Sequence, residues 1–251
     1  MTRYVLLPGA GSDSWFWHLL TPRLEAAGHR VLAVDLPWAD ASAGLPEYAE
    51  RVVAAVRAEE EAERAEADHS AGAADVRPQP LVVVAQSMGA FVGVLVCERL
   101  DVAELVLLAP MIPAPGETPG TWWENTGQGA AMRAFAVEEG RDPDATFDVE
   151  EVFLHDLPAE LVAESAEHEG AEPADAPFSS VWEAERWPDV STRVIAGRYD
   201  RLFPLEFVRR IARDRLDVEP EVIDTGHMTA LVRPDQLAEL LLADREGTFR
   251  R

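Results

Sequence analysis

Six short apolar runs, at residues 4–7, 31–34, 81–85, 104–108, 193–196 and 221–223, punctuate this chain, each bounded by turn formers. Most are β-branched and apolar on both faces, the pattern of strands covered on both sides of a sheet rather than of amphipathic edges. Between them lie helical patterns at 15–27, closed by Gly28, at 47–63, with Val52, Val53 and Val56 turned inward, and at 88–100. Two more follow Pro204 and Pro234, where proline suits a first helical position. Strands and helices that alternate in this way need right-handed crossovers, and so a parallel sheet with helices on both faces. The expected fold is a six-stranded, mostly parallel, doubly wound α/β domain.

The alternation fails between residues 111 and 189, where Pro113, Pro115, Pro119, Pro143, Pro158, Pro173, Pro177 and Pro188 divide the chain into short helical pieces. An insertion of that length between strands is expected to be a helical cap over a site. The chain then reads as a single domain over 1–251, with a core at 1–110 and 190–251 and the cap at 111–189. A second irregular stretch ends in Ser70, Ala71, Gly72, Ala73 and Ala74, and is expected to be an exposed helix end running into a flexible linker.

Net charge narrows the partners. The formal charge is −24, with no lysine among the 22 basic residues, which excludes a nucleic-acid backbone as a partner. Residues 59–75 carry −6 of that charge and residues 111–189 carry −16, so two acidic modules are set into a nearly neutral scaffold. Cys97 is the one cysteine, so an internal disulfide and a thiolate metal cluster are excluded. The apolar run at the start is too short for a signal segment, and no run is long enough to span a bilayer, so a cytoplasmic protein without membrane partners is expected. Self-association into a homodimer stays open.

The segment Leu81-Val82-Val83-Val84-Ala85-Gln86-Ser87-Met88-Gly89-Ala90 carries the most chemistry. A serine between small residues at −2 and +2, directly after a buried strand and before a helix, has the layout of a nucleophile elbow. The turn strains the serine so that its hydroxyl projects from the top of the sheet, and only small neighbours fit the close approach. Gly89, Ala90 and Gly93 leave a flat helix face able to pack against the sheet. A helix cap at a strand-to-helix turn is the competing reading of the same residues.

A serine hydroxyl needs a base. Of six histidines, His227 alone follows a strand after the serine, in Asp224-Thr225-Gly226-His227-Met228. His29 precedes a strand, His69 belongs to the acidic stretch, His155 and His168 to the insertion, and His18 to an early helical face. Asp200, just past the fifth strand, is the carboxylate expected to orient the base, in the chain order Ser, Asp, His; Asp35 and Asp224 are the alternatives. An oxyanion hole needs two donors, for which the backbone N–H groups of Met88 and of Ala10, in Pro8-Gly9-Ala10-Gly11, are the candidates.

With Pro8-Gly9-Ala10-Gly11, Trp15-Phe16-Trp17, Leu24-Glu25-Ala26-Ala27-Gly28-His29, Val34-Asp35-Leu36, the Ser87 elbow and Gly226-His227-Met228 followed by Pro234, the chain resembles the α/β-hydrolase superfamily. It is most similar there to the branch of plant methylesterases and hydroxynitrile lyases. The resemblance implies a cofactor-free serine hydrolase acting on a small, hydrophobic or aromatic carboxylic ester. Three positions depart from it: Pro8 and Gln86 stand where the family usually has histidine, and Ala85 stands for the first glycine of the elbow. Lyases of this branch place a threonine at the position of Gly9 and a lysine directly after the histidine, where this chain has Met228. Carbon–carbon hydrolases, lactonases, cofactor-free dioxygenases and non-catalytic small-ligand receptors remain open on this sequence.

The partner is thus expected to be a small-molecule substrate, with neither cofactor nor metal, since no metal or nucleotide motif occurs. Trp122, Trp123, Phe135, Phe147, Phe153, Trp182 and Trp187 bring aromatic surface to the insertion. Trp122, Trp123, Phe135 and Trp182, with Gly9, are the candidate pocket walls, against the reading that the cap's aromatics form its own small core.

Overall fold

The computed structural model describes residues 1–69, 79–168 and 172–243. The linker expected at 70–74 lies outside the described residues. Six strands form one sheet, β1 (Arg3–Leu7), β2 (Arg30–Ala33), β3 (Leu81–Gln86), β4 (Glu104–Leu108), β5 (Ser191–Gly197) and β6 (Glu221–Ile223). Every neighbouring pair is parallel, and the order across the sheet is β2-β1-β3-β4-β5-β6. The chain leaves β1 for β2 on one side and returns on the other side as β3. A crevice forms at such a reversal, above the carboxyl ends of β1 and β3.

Ten α-helices, besides a π-helical turn at Glu150–Leu154, accompany the strands among the described residues: α1 (Thr21–Ala26), α2 (Leu45–His69), α3 (Gly89–Cys97), α4 (Pro119–Thr126), α5 (Gln128–Glu138), α6 (Ala159–Glu167), α7 (Asp175–Ser179), α8 (Leu205–Leu216), α9 (Thr229–Val232) and α10 (Pro234–Leu242). The single helix expected at 15–27 is instead a 3-10 turn, Ser14–Trp17, followed by α1. Pro22 explains the break, since a residue without an N–H fits the first turn of a helix but not its middle.

Because successive strand side chains alternate, the sheet supports two cores. Val5, Leu7, Val83, Ala85, Leu105 and Leu107 face α2, α3 and α8, whereas Tyr4, Leu6, Val82, Val84, Val106 and Leu108 face Phe16, Trp17, α1 and α10. α3 lies close to the sheet at Gly93. A Cβ on Gly93 would sit 3.0 Å from the Ala85 Cβ, so the missing side chain at 93 makes room for the extra methyl at 85. The alanine that departs from the glycine pattern of the elbow is thereby accommodated.

Helices α4 to α7 come from residues 111–189. The Glu117 carboxylate, before α4, accepts from Arg215 of α8 at 2.6 and 3.0 Å and from Asn125 at 2.9 Å. Arg210 donates to the Thr126 carbonyl at 2.6 Å. Among the described residues, no helix is long and apolar enough to cross a membrane.

Candidate active site

Ser87 sits at the tight turn between β3 and α3 with φ = 53°, in the left-handed region that a β-substituted residue avoids. Backbone bonds hold it there: its N–H donates to Leu108 O at 3.0 Å, and its carbonyl accepts from Met111 N–H at 3.0 Å. The small residue two places on is required by the fold, because a Cβ at Gly89 would come within 2.7 Å of the Pro8 carbonyl oxygen. The loop after β1 therefore passes directly over the start of α3. That contact brings Gly9 and Ala10 beside the serine.

The turn after β5 carries Asp200, and the turn after β6 carries His227. Asp200 is fully buried, and His227 is 1% exposed. Asp200 Oδ2 lies 2.8 Å from His227 Nδ1, and Oδ1 accepts the N–H groups of Leu202 and Phe203 at 2.9 Å each. With both carboxylate oxygens engaged, the side chain is locked and receives the Nδ1–H of the ring. The Nε2 nitrogen is then the proton acceptor of the imidazole. Phe153 and Phe203 pack edge-on against the ring, each with a centroid distance of 5.2 Å. The alternative carboxylates are engaged elsewhere. Asp35 Oδ1 accepts from Ser14 N–H at 2.7 Å, and Asp224 pairs with Arg198 at 2.6 Å on the surface.

Ser87 and His227 open into one cavity of about 700 Å³. Gly9, Ala10, Gln86, Met88, Met111 and Met228 form its floor, and Trp15, Trp123, Gln128, Met132, Phe147, Phe153, Phe178 and Leu202 contribute to its walls. The backbone N–H groups of Ala10 and Met88 have no hydrogen-bond partner among the described residues. Two free donors next to the serine are what a developing oxyanion needs. Among the described residues, no three His, Cys, Asp or Glu side chains gather to hold a metal ion.

Of the aromatic walls expected from the sequence, Trp123 lines the cavity, while Trp122, Phe135 and Trp182 do not. Trp122 is fully buried, donating from Nε1 to the Ile112 carbonyl at 2.8 Å and packing on Phe203 and Phe207. Trp182 is likewise buried, with Nε1 donating to Glu98 at 2.9 Å. Both indoles satisfy their N–H inside the protein, so they weld the cap to the core instead of facing a ligand. Phe135 lies on α5, half-buried and away from the opening. Trp15, Gln128 and His168 also line the cavity, beyond the residues expected from the sequence. His168 reaches the cavity from the end of α6 and stacks on Trp15 at 4.9 Å, as His18 does at 4.8 Å. The tryptophan was visible in the Trp15-Phe16-Trp17 run; nothing in the irregular sequence around His168 marked it.

His155 lies beside the His227 loop, where its Nε2 is buried without a hydrogen-bond partner. Burial pushes this imidazole below its ordinary pKa, against the raising effect of Asp156. The Asp156 carboxylate accepts the N–H of Gly226 at 2.5 Å, which ties the cap to the residue preceding His227. Of the cap's described carboxylates, Glu150 lines the cavity.

Comparison with known proteins agrees with this fold. The Alpha/beta hydrolase family matches residues 4–240. A rice protein (Oryza sativa subsp. indica) named "Probable esterase PIR7A" is 32% identical over 126 residues, which is 47% of this chain. The match covers only 42% of the rice protein. The solved structure of polyneuridine aldehyde esterase superposes with a TM-score of 0.70 at 20% identity, covering 96% of this chain and 98% of that one. A methylesterase from Arabidopsis, MES16, superposes with a TM-score of 0.69 at 18% identity, with the same coverage of each chain.

Proposed function

The chain belongs to the alpha/beta hydrolase family, and on that premise we propose that it is a serine esterase in which Ser87, His227 and Asp200 form the catalytic triad. One arrangement carries this reading. A buried Asp200–His227 pair and a strained serine meet at a single cavity, with two unpartnered N–H groups beside the serine. The esterase named among the relatives supports the reaction type.

The chemistry follows from the atoms. His227 Nε2 takes the proton of Ser87 Oγ as the oxygen attacks the ester carbonyl. The carbonyl oxygen becomes an oxyanion, stabilised by Met88 and Ala10 N–H. Collapse breaks the bond to the alcohol, which leaves with the proton from His227, and the acyl group stays on Ser87. Water, deprotonated by the same nitrogen, then releases the acid and restores the serine. Asp200 stabilises the imidazolium in both halves without itself being protonated.

Aromatic and methionine side chains around a cavity of about 700 Å³ suit a small hydrophobic or aromatic ester. Cyanohydrin cleavage is not supported. A Cβ at residue 9 would lie 2.3 Å from Gln86 Oε1 and 2.9 Å from Ser87 Cβ, so the lyase threonine would fit only if Gln86 and the Ser87 turn shifted. Nor does the chain have any lysine to stabilise cyanide.

A fluorophosphonate is expected to label Ser87 and no other serine, as read by peptide mass spectrometry. Ser87→Ala should abolish labelling and lower kcat on phenyl acetate by roughly 10³-fold or more, and Asp200→Asn by about 10⁴-fold, with the melting curve of each retained. Labelling at another serine, or wild-type turnover by Ser87→Ala, would remove the assignment.

A further inference from the structure

Two carboxamides interrupt the apolar wall of the cavity, and they are held differently. Gln128 is anchored, its Nε2–H donating to the Leu202 carbonyl at 2.6 Å. Gln86 is 3% exposed and lines the cavity, yet its carboxamide has no hydrogen-bond partner among the described residues. Its amide atoms are not sealed off from the cavity, so they stay free to bond a ligand there instead of a protein group.

Placement narrows what the amide can meet. The backbone of Gln86 is fixed by its register with Leu108 in the sheet, and by the strained turn at Ser87 that follows. Its Oε1 lies where a side chain on residue 9 would otherwise be, at 2.3 Å from the position of such a Cβ, and that Cβ would also be 2.9 Å from Ser87 Cβ. The amide tip therefore sits between the nucleophile and the loop that offers Ala10 N–H. The carbon next to the scissile carbonyl of an ester attacked by Ser87 has to lie close to that serine, and Gln86 is the cavity-lining carboxamide adjacent to it in the chain. A carboxamide presents both a donor and an acceptor, which complement a hydroxyl or a keto oxygen.

We infer that Gln86 is a specificity-determining residue that hydrogen-bonds an oxygen on the carbon next to the scissile carbonyl, so that esters of 2-hydroxy and 2-oxo acids are the preferred substrate class. The inference rests on the esterase reading of this same site.

The test compares the full chain with Gln86→Leu and Gln86→Met on two esters that differ by one oxygen, ethyl mandelate and ethyl phenylacetate. Intrinsic reactivity cancels when the ratio of kcat/KM for the two esters is compared between proteins. Wild type should favour the mandelate ester, and both variants should lose roughly tenfold of that ratio, the value of one hydrogen bond. Their melting temperatures should not fall, because no intramolecular bond is removed. A ratio unchanged in both variants, or both esters slowed alike as a third oxyanion donor would produce, overturns the inference and leaves the esterase reading standing. Fluorophosphonate labelling of Ser87 without turnover of the mandelate ester also overturns it. If wild type hydrolyses neither ester and Ser87 is not labelled, the esterase reading fails and takes the inference with it.

Discussion

Ser87 and Ala109 both have positive φ, 53° and 41°, and they follow adjacent strands. Strain of this kind costs on the order of 1–3 kcal/mol per residue and persists only where its surroundings enforce it. Here the bonds are shared: Ser87 donates to Leu108 O, Ala109 donates to Ile195 O, and Met111 donates back to Ser87 O. The strained serine is thus clamped by the neighbouring strand and the loop after it, as well as by Ala90 of its own helix. His155 gives a prediction at this scale. Its folded pKa lies below the ordinary value, so the neutral imidazole is favoured by folding, and its contribution is complete above the unfolded pKa of about 6.5. As pH falls below that value the unfolded chain takes up the proton more readily, and stability is lost. The urea midpoint should drop between pH 7.5 and pH 5.5, and drop less in His155→Gln; equal drops would show that the loss arises elsewhere. Ser87, Asp200 and His227 could be picked out beforehand because each follows a short apolar run that reads as a strand. The walls could not, since an indole such as Trp122 or Trp182 suits a core or a pocket equally until the partner of its N–H is known.

Among the elements, α8 bears the cap. The ion pair of Arg215 with Glu117 is mostly shielded from water, with side-chain exposures of 16% and 4%. Removing one partner of a buried pair leaves an uncompensated charge, at about 3–5 kcal/mol. Arg215→Met should therefore lower the unfolding free energy by about 3 kcal/mol, because Asn125 and Ala114 N–H still serve Glu117. Arg64→Ala, which breaks the exposed i,i+4 pair with Glu60, should change it by less than about 1 kcal/mol. Equilibrium urea titrations of the two variants check the contrast, and equal effects would show that the Arg215 pair is not what fixes the cap. Prolines announced that 111–189 would be broken into short helices, and Pro119 does open α4. What the sequence left unreadable was which helix of the core would receive them, because the receiving arginines, Arg210 and Arg215, look from their spacing like any solvated helix face.

Taken over the whole molecule, the charge of −24 is concentrated where the cap lies, but few of those carboxylates reach the cavity. Glu150 and, from the core, Asp13 line it, while Glu164 accepts from Trp15 Nε1 nearby. Their field should slow the approach of anionic esters and spare neutral ones. Since salt screens such fields over about 8 Å at physiological ionic strength, kcat/KM for a carboxylate-bearing ester should rise with added salt relative to its neutral analogue. A ratio flat from low to high salt would mean that the cap's charge serves only its outer surface. The layered α/β plan was legible because six short, largely apolar runs alternate with helices, yet their lateral order was not, since parallel pairing leaves no local mark on a sequence. That order sets a kinetic condition. β1 pairs on its inner side with β3, register Arg3 to Leu81, far along the chain. A growing polypeptide must hold its first strand half-paired until the third arrives, and closing so long a loop is slow. The Ser87 turn and the Ala10 loop flank that one seam, so the serine and the free N–H groups beside it should be brought together by that same closure.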